Sequence, residues 1–478
     1  MQRRKSSIRA SGARSSAASG RSSREAGVEH AALYRMIWRW HFYAGLLVMP
    51  LILVLSVTGS IYLFKPQIDR WEERAWQGLS EKGAVSPAKQ VQAALDAWPS
   101  ARFDAYRLPE REGDAAVVTV APADGNAARD VFVSPRGKVL GSRDPEKRIS
   151  ALVATFHGSL MLGRIGDWIV ELAASWAIVT ILTGLYLWWP NDRRLAGVLW
   201  PRLSRGGRVF WRDLHAVAGF WVSGLALLML ATGLPWAGVW GSAFASVRAE
   251  LGLVKGVQEW KIGSGGGEHT AHHRDAMAGM AMPASKEARF DPAMFNLVVA
   301  EAKGEHLAFP ASVLPPGAPQ RFGPPTGNVW TAKSEAQDRP LQRSVTYGLA
   351  SGRELAREGF AGKHPIDRIV NYGIAWHEGQ LLGWFNQLVG VLLAVMLITL
   401  TVSGFVMWRK RRPAGGGLGA LRAPARRVSS KGLVGGGVVL AALLPLFALS
   451  FVALWLAERL LLRRIGPVAE WLGLTVEA

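Results

Sequence analysis

The stretch HFYAGLLVMPLILVLSVTG, residues His41–Gly59, returns in outline as HAVAGFWVSGLALLMLATG at His215–Gly233. In each, glycine follows the histidine after four residues, and Thr-Gly follows at seventeen and eighteen. A second pair of stretches matches in the same manner. His157, Gly163, Thr183-Gly184 and Trp188 align without a gap with His377, Gly383, Ser403-Gly404 and Trp408. The chain therefore reads as helix, intervening domain, helix, written twice in the same direction, with further sequence after the second copy.

Around these repeats lie five apolar runs, at 42–64, 168–189, 216–240, 385–408 and 433–457. Each has about 20 residues or more, enough to cross a hydrocarbon core about 30 Å thick at 1.5 Å per residue. The formal charge of +20 would ordinarily raise nucleic-acid binding. Its location argues otherwise. Residues 1–40, 190–213 and 409–431 together hold 23 basic and 4 acidic residues, and the rest of the chain is nearly neutral. Basic excess bordering apolar runs is the positive-inside signal of a membrane protein, and no basic patch falls on a soluble domain. The chain has no cysteine, which excludes disulfides, thiolate metal sites and c-type haem attachment.

The expected fold is an integral membrane α-helical bundle: four core spans as a parallel tandem repeat, plus a fifth, C-terminal span. With the basic segments inside, residues 1–35 form a disordered basic cytoplasmic tail, rich in Ser, Arg, Ala and Gly. A first span (36–64) stays as an anchor and leads to an outer domain (65–156). A second span with an outer extension (157–190), a cytoplasmic loop (191–211) and a third span (212–240) follow. Next come a second outer domain (241–376), a fourth span with an outer extension (377–410) and a basic cytoplasmic loop (411–432). A fifth span (433–458) then places the tail 459–478 outside, a placement that Arg459, Arg463 and Arg464 fit poorly.

The histidines fall at two levels. His41 and His215 begin outward helices, whereas His157 and His377 precede inward ones. A histidine at a membrane boundary needs a partner, and bonding to headgroups or a backbone carbonyl would satisfy one taken alone. Four of them in two pairs at repeated spacing point to haem, whose iron takes neutral imidazole from facing helices. Gly45 and Gly219 would let a flat macrocycle approach the backbone. Proton relay or a non-haem metal is the competing reading, although Glu171 and Glu378 are the obvious carboxylates nearby. A straight helix from His157 to Trp188 would be about 47 Å long, too long for the bilayer. A bend at Gly163 or Gly166 is expected, with its counterpart near Gly383. The Thr-Gly and Ser-Gly pairs read as close-packing points between helices.

The outer regions read as two small α+β units. The first has a helix at Pro87–Trp98, strands at Ala115–Val120, Asp130–Val133 and Lys138–Gly141, and a turn at Ser134–Gly137. The second has a helix at Pro292–Lys303 and a strand-turn-strand over Ser344–Leu355. Neither shows a nucleophile–base constellation or a phosphate loop, and both suit binding or docking. The insert 263–283 carries His269, His272, His273, Met277, Met280 and Met282, ligand types that suit copper. Its glycine and alanine content also fits a flexible insert with incidental ligands.

These motifs resemble the PepSY-associated transmembrane family of bacterial inner-membrane proteins, which includes iron-regulated proteins and siderophore reductases. The resemblance is carried by His41–Gly45 with Leu55–Gly59, Phe156-His157-Gly158 with Thr183–Pro190, Asp213-Leu214-His215 with Gly219, and Trp376–Gly379 with Leu382-Gly383. Val131–Gly137 and Val345–Gly352 look like the strand-turn of PepSY domains, and the likeness runs over about residues 35–412. It implies two small α+β PepSY-like domains in the periplasm and two haem b groups. His41 and His215 would hold the cytoplasmic-side haem, and His157 and His377 the periplasmic-side one. It further implies an enzyme that passes electrons outward to a ferric siderophore. Nothing resembles a flavin or nicotinamide module, so a quinol or a separate reductase would donate electrons. A haem-free binding or regulatory protein and a copper-handling protein remain the alternatives.

Overall fold

A computed structural model describes residues 5–123, 125–189, 197–202, 204, 206–255, 290–412, 416–422 and 430–474. In chain order, α1 (Lys5–Tyr62) and α2 (Lys65–Glu72) lead to α3 (Pro87–Ala97). Strands β1 (Arg102–Arg107), β2 (Ala116–Ala121), β3 (Arg129–Val133) and β4 (Val139–Arg143) come next. Helices α4 (Ile149–Ser159), α5 (Gly163–Trp188), α6 (Gly207–Gly233) and α7 (Gly238–Glu250) follow, then α8 (Pro292–Gly304). The second set of strands is β5 (Ala311–Leu314), β6 (Val329–Ser334), β7 (Arg343–Gly348) and β8 (Glu354–Gly359). The chain ends through α9 (Pro365–His377), α10 (Trp384–Arg411), α11 (Lys431–Leu443), α12 (Pro445–Ala457) and α13 (Gly466–Trp471). Among the described residues, five helical stretches are long and apolar enough to cross a membrane: Val28–Tyr62, Gly163–Trp188, Gly207–Trp236, Trp384–Arg411 and Pro445–Leu462. The segment expected to be a disordered tail is helical from Lys5, continuous with the first span. It contains no proline, and its many Ala and Arg residues favour helix.

The chain divides into two compact units, and each long helix contributes to both. One unit comprises Met1–Leu53, Leu172–Leu227 and Met396–Ala478. The repeat extends into its loops. Trp188 donates its indole N–H to the Val198 carbonyl and Trp408 does the same to Leu418, each at 3.0 Å and ten residues apart. Asp213, fully buried, accepts from Arg202 at 2.6 Å and from Arg212 at 2.7 Å, which fixes the entry to α6.

The end of this unit departs from expectation. The fifth apolar run is not one helix but two, broken where Pro445 lacks an N–H for the ladder. The first piece, of 13 residues, spans about 20 Å, short of a bilayer core, while the second continues to Leu462 as an 18-residue apolar stretch. Trp176 holds the second piece by a 3.0 Å bond to Ser450 and a ring contact with Phe447. Beyond it the chain returns to the basic end of the unit. Trp471 accepts from the Leu418 N–H at 2.9 Å, Gly473 accepts from Arg39 at 3.1 Å, and Leu472 accepts from the Tyr43 hydroxyl. Residues 471–473 thus lie against Arg39, Tyr43 and Leu418, where the expected outward placement of 459–478 would set them apart. The cysteine-free sequence makes this directly testable. In sealed vesicles, Glu470→Cys is expected to react with an impermeant maleimide from the same side as Ser430→Cys. Labelling from opposite sides would contradict it.

The other unit comprises Val54–Glu171 and Leu228–Val395. Here the two outer domains are one. Their strands form a single antiparallel sheet in the order β4-β3-β2-β1-β5-β6-β7-β8, joined where Tyr106 faces Val313 and Arg107 faces Ser312. Unjoined, β1 and β5 would each expose a row of unpaired N–H and C=O groups. Helices α3 and α8 cover one face with a shared core, in which Val91, Phe295 and Val298 pack against Tyr106, Val118 and Val345. Burial pushes the Tyr106 phenol up, so it stays protonated and donates to Gln90 at 2.6 Å. Asp291 caps α8 by accepting from Ala293 and Met294, and Pro292 fills the first turn.

Two elbows complete this unit. Helix α4 ends at Leu160 and Met161 in left-handed conformation, and α5 starts at Gly163. A Cβ on Gly166 would lie 1.7 Å from the Ser159 carbonyl oxygen, so the turn admits only glycine there. The corresponding break between α9 and α10 passes through Gly379 and Gly383, both at positive φ.

Candidate cofactor sites

Each of the four repeated histidines sits in a seat made by another helix. In the first unit, His41 on α1 places Nδ1 3.0 Å from the Thr180 carbonyl and 3.2 Å from Thr183 Oγ1, both on α5. His215 on α6 places Nδ1 3.1 Å from both the Leu400 carbonyl and Ser403 Oγ on α10. The two rings lie 6.3 Å apart, centre to centre, with planes crossed at 81°. In the second unit, His157 on α4 meets Thr58 Oγ1 at 2.9 Å, with the Leu55 carbonyl as further partner. His377 on α9 meets the Met229 carbonyl at 3.0 Å and Thr232 Oγ1 at 3.4 Å. Those rings also lie 6.3 Å apart, crossed at 68°.

The seats fix the tautomer. Thr58, Thr183 and Thr232 donate their hydroxyl protons to the carbonyls of Val54, Val179 and Leu228, and Ser403 donates to Leu400. Their oxygens therefore accept, and each imidazole must donate from Nδ1. That leaves the lone pair on Nε2, the form that ligates a metal, with Nδ1 oriented by a polar partner. The following glycine makes room for the ring. A Cβ on Gly59, Gly184, Gly233 or Gly404 would stand 3.0 to 3.4 Å from the seated Cε1.

The spacing suits one iron between two rings. A metal–imidazole bond of about 2.0 Å and about 1.1 Å from ring nitrogen to ring centre put two axial rings about 6.2 Å apart. Both pairs match that separation. His41 with His215, and His157 with His377, could hold a metal such as haem iron through Nε2.

Other sequence expectations change. Gly45 and Gly219 face Thr180 and Leu400, at the contact between seat helix and histidine helix. The Thr-Gly and Ser-Gly pairs are histidine seats, not simple packing points. Their spacing in both repeats was the available signal. Glu171, considered as a metal carboxylate, accepts from the N–H groups of Val239 and Trp240 and caps α7. Among the described residues, no group of three or more His, Asp or Glu could hold a metal ion. The copper candidates His269, His272, His273, Met277, Met280 and Met282 lie outside the described residues.

Repeated apolar helices and paired histidine seats define a multi-pass membrane protein. The family of the PepSY-associated TM region matches residues 38–411, and the chain belongs to it. A comparison with curated proteins gives no match.

Proposed function

We propose that this protein is a dihaem b-type membrane oxidoreductase that reduces ferric siderophores. The carrying observation is that both histidine pairs combine a 6.3 Å ring separation with Nδ1 tied to a carbonyl and a hydroxyl. Haem held in this way supplies reversible one-electron transfer. The chain's own part is to hold four imidazoles neutral and oriented. The seat hydroxyls and carbonyls raise the donor strength of Nε2, as outer partners of a ligating histidine do. In this reading the protein lies in the bacterial inner membrane, with basic segments in the cytoplasm and the sheet in the periplasm. Electrons enter from a quinol or a separate reductase and leave to a ferric chelate outside. Fe(II), less charged and softer, is held less tightly by hard oxygen ligands, so reduction releases iron.

The test is a reduced-minus-oxidised spectrum of detergent-purified protein, with haem counted per chain and ferric siderophore then added. Low-spin b-type bands, about two haems per chain and reoxidation by the chelate are expected. The crossed ring planes further predict a strongly anisotropic low-spin EPR signal. A folded protein without haem, from a haem-sufficient host, would overturn the proposal.

A further inference from the structure

Beside His377, buried polar atoms are left without partners. They include Asp338 Oδ1 and Arg339 Nε on the connection between β6 and β7, and Trp376 Nε1 and Glu378 Oε2 on the helix end that carries His377. Such atoms are uncommon in native structures, and each calls for an explanation such as a missing ligand or water. The short helical turn Arg339–Leu341 packs against α9 and sets Arg339 over Glu378. Both side chains are more than nine-tenths buried, at 7% and 3% exposure. Yet the guanidinium stands 4.0 Å from the carboxylate, beyond the about 2.7–2.9 Å of a charge-assisted bond. Lys65 and Arg321 also act on Glu378, and Lys65 is shared with Asp69. A buried guanidinium so loosely met is costly to keep. A second carboxylate would complete it.

Resting on the haem reading above, we propose that Arg339, held over Glu378, forms a carboxylate-binding site at the helix end that carries His377. Glu378 holds Arg339 in position from one side, and the incoming carboxylate takes the unused Nε–H. Two sources of that carboxylate are distinguished by experiment: a propionate of a haem that His157 and His377 would hold, and a carboxylate-bearing ferric chelate.

The experiment uses the full chain in a His41→Ala/His215→Ala background, so that only the second pair is loaded. Protein made under haem limitation is titrated with haem and with haem dimethyl ester. If the site takes a propionate, haem binds at least about tenfold tighter than the ester, the range expected for a hydrogen bond to a charged group. Arg339→Ala then brings the ratio towards one, Arg339→Lys keeps part of it, and the midpoint potential of that haem falls. If the site takes the chelate instead, the ratio is unchanged by Arg339→Ala. In the chain with all four histidines, the half-saturating concentration of ferric citrate in haem reoxidation then rises about tenfold. An uncharged ferric trihydroxamate is unaffected in that case. No effect of Arg339→Ala on either ratio or citrate overturns the site. Failure of the four-histidine chain to bind haem overturns the oxidoreductase reading instead. The site then stands or falls on whether calorimetry finds citrate binding that Arg339→Ala removes.

Discussion

Replacing His377 by Ala is expected to halve the haem content of the purified protein and bring chelate reduction to background. The imidazole is one of two placed 6.3 Å apart, centre to centre. With His157 left alone, any haem retained loses its low-spin character, since that state needs two strong axial ligands. Exogenous imidazole should restore the low-spin bands, which a variant that had merely lost its fold would not show. His41→Ala should remove the other haem and leave that of the His157–His377 pair in place. Retention of both low-spin haems in either variant would break the assignment of ligands.

The second large effect is steric and involves no ligand atom. A Cβ at Gly184 lies 3.0 Å from Cε1 of His41, tighter than ordinary contact. Gly184→Val adds two further methyl groups there and pushes the ring from the Thr180 carbonyl. Overpacking of this kind costs about 1–3 kcal/mol, so haem affinity at the His41–His215 pair should fall by about 5- to 150-fold. Gly45→Ala is the control. Its added carbon would meet only Thr180 Cγ2, at 3.9 Å, and haem binding should be unchanged within about twofold. Equal damage from the two substitutions, measured by haem titration, would show that close contact with the histidine is not what Gly184 supplies.

The spans and the histidine pairs were legible because each rests on a local pattern. Apolar length, basic flanks and the His-to-Thr-Gly spacing can all be counted along the chain. The joining of the outer regions was hidden for a physical reason. Strand β5 has only four residues, and β1, reading RFDAYR, mixes charge with apolar side chains. Their pairing depends on partners about two hundred residues apart in sequence. The seats were half visible: Thr58, Thr183, Thr232 and Ser403 stood at repeated positions, but the backbone carbonyls that share their task leave no mark in a sequence. The break at Pro445 was missed because apolar length alone does not show where one helix stops and the next begins.

The pairing of seats also bears on ancestry. In the first half, α5 seats the imidazole of α1 and α1 seats that of α4. The second half does the same with His215 and His377. Yet each candidate iron position takes one nitrogen from either half, and the sheet closes only where β1 of one meets β5 of the other. A single half holds complete seats and incomplete sites, which is the condition of one subunit in a symmetric pair. Such an arrangement is what fusion of a twofold homodimer into one polypeptide would leave behind. Once fused, the two copies were free to diverge, and only one of them now carries the His- and Met-rich insert.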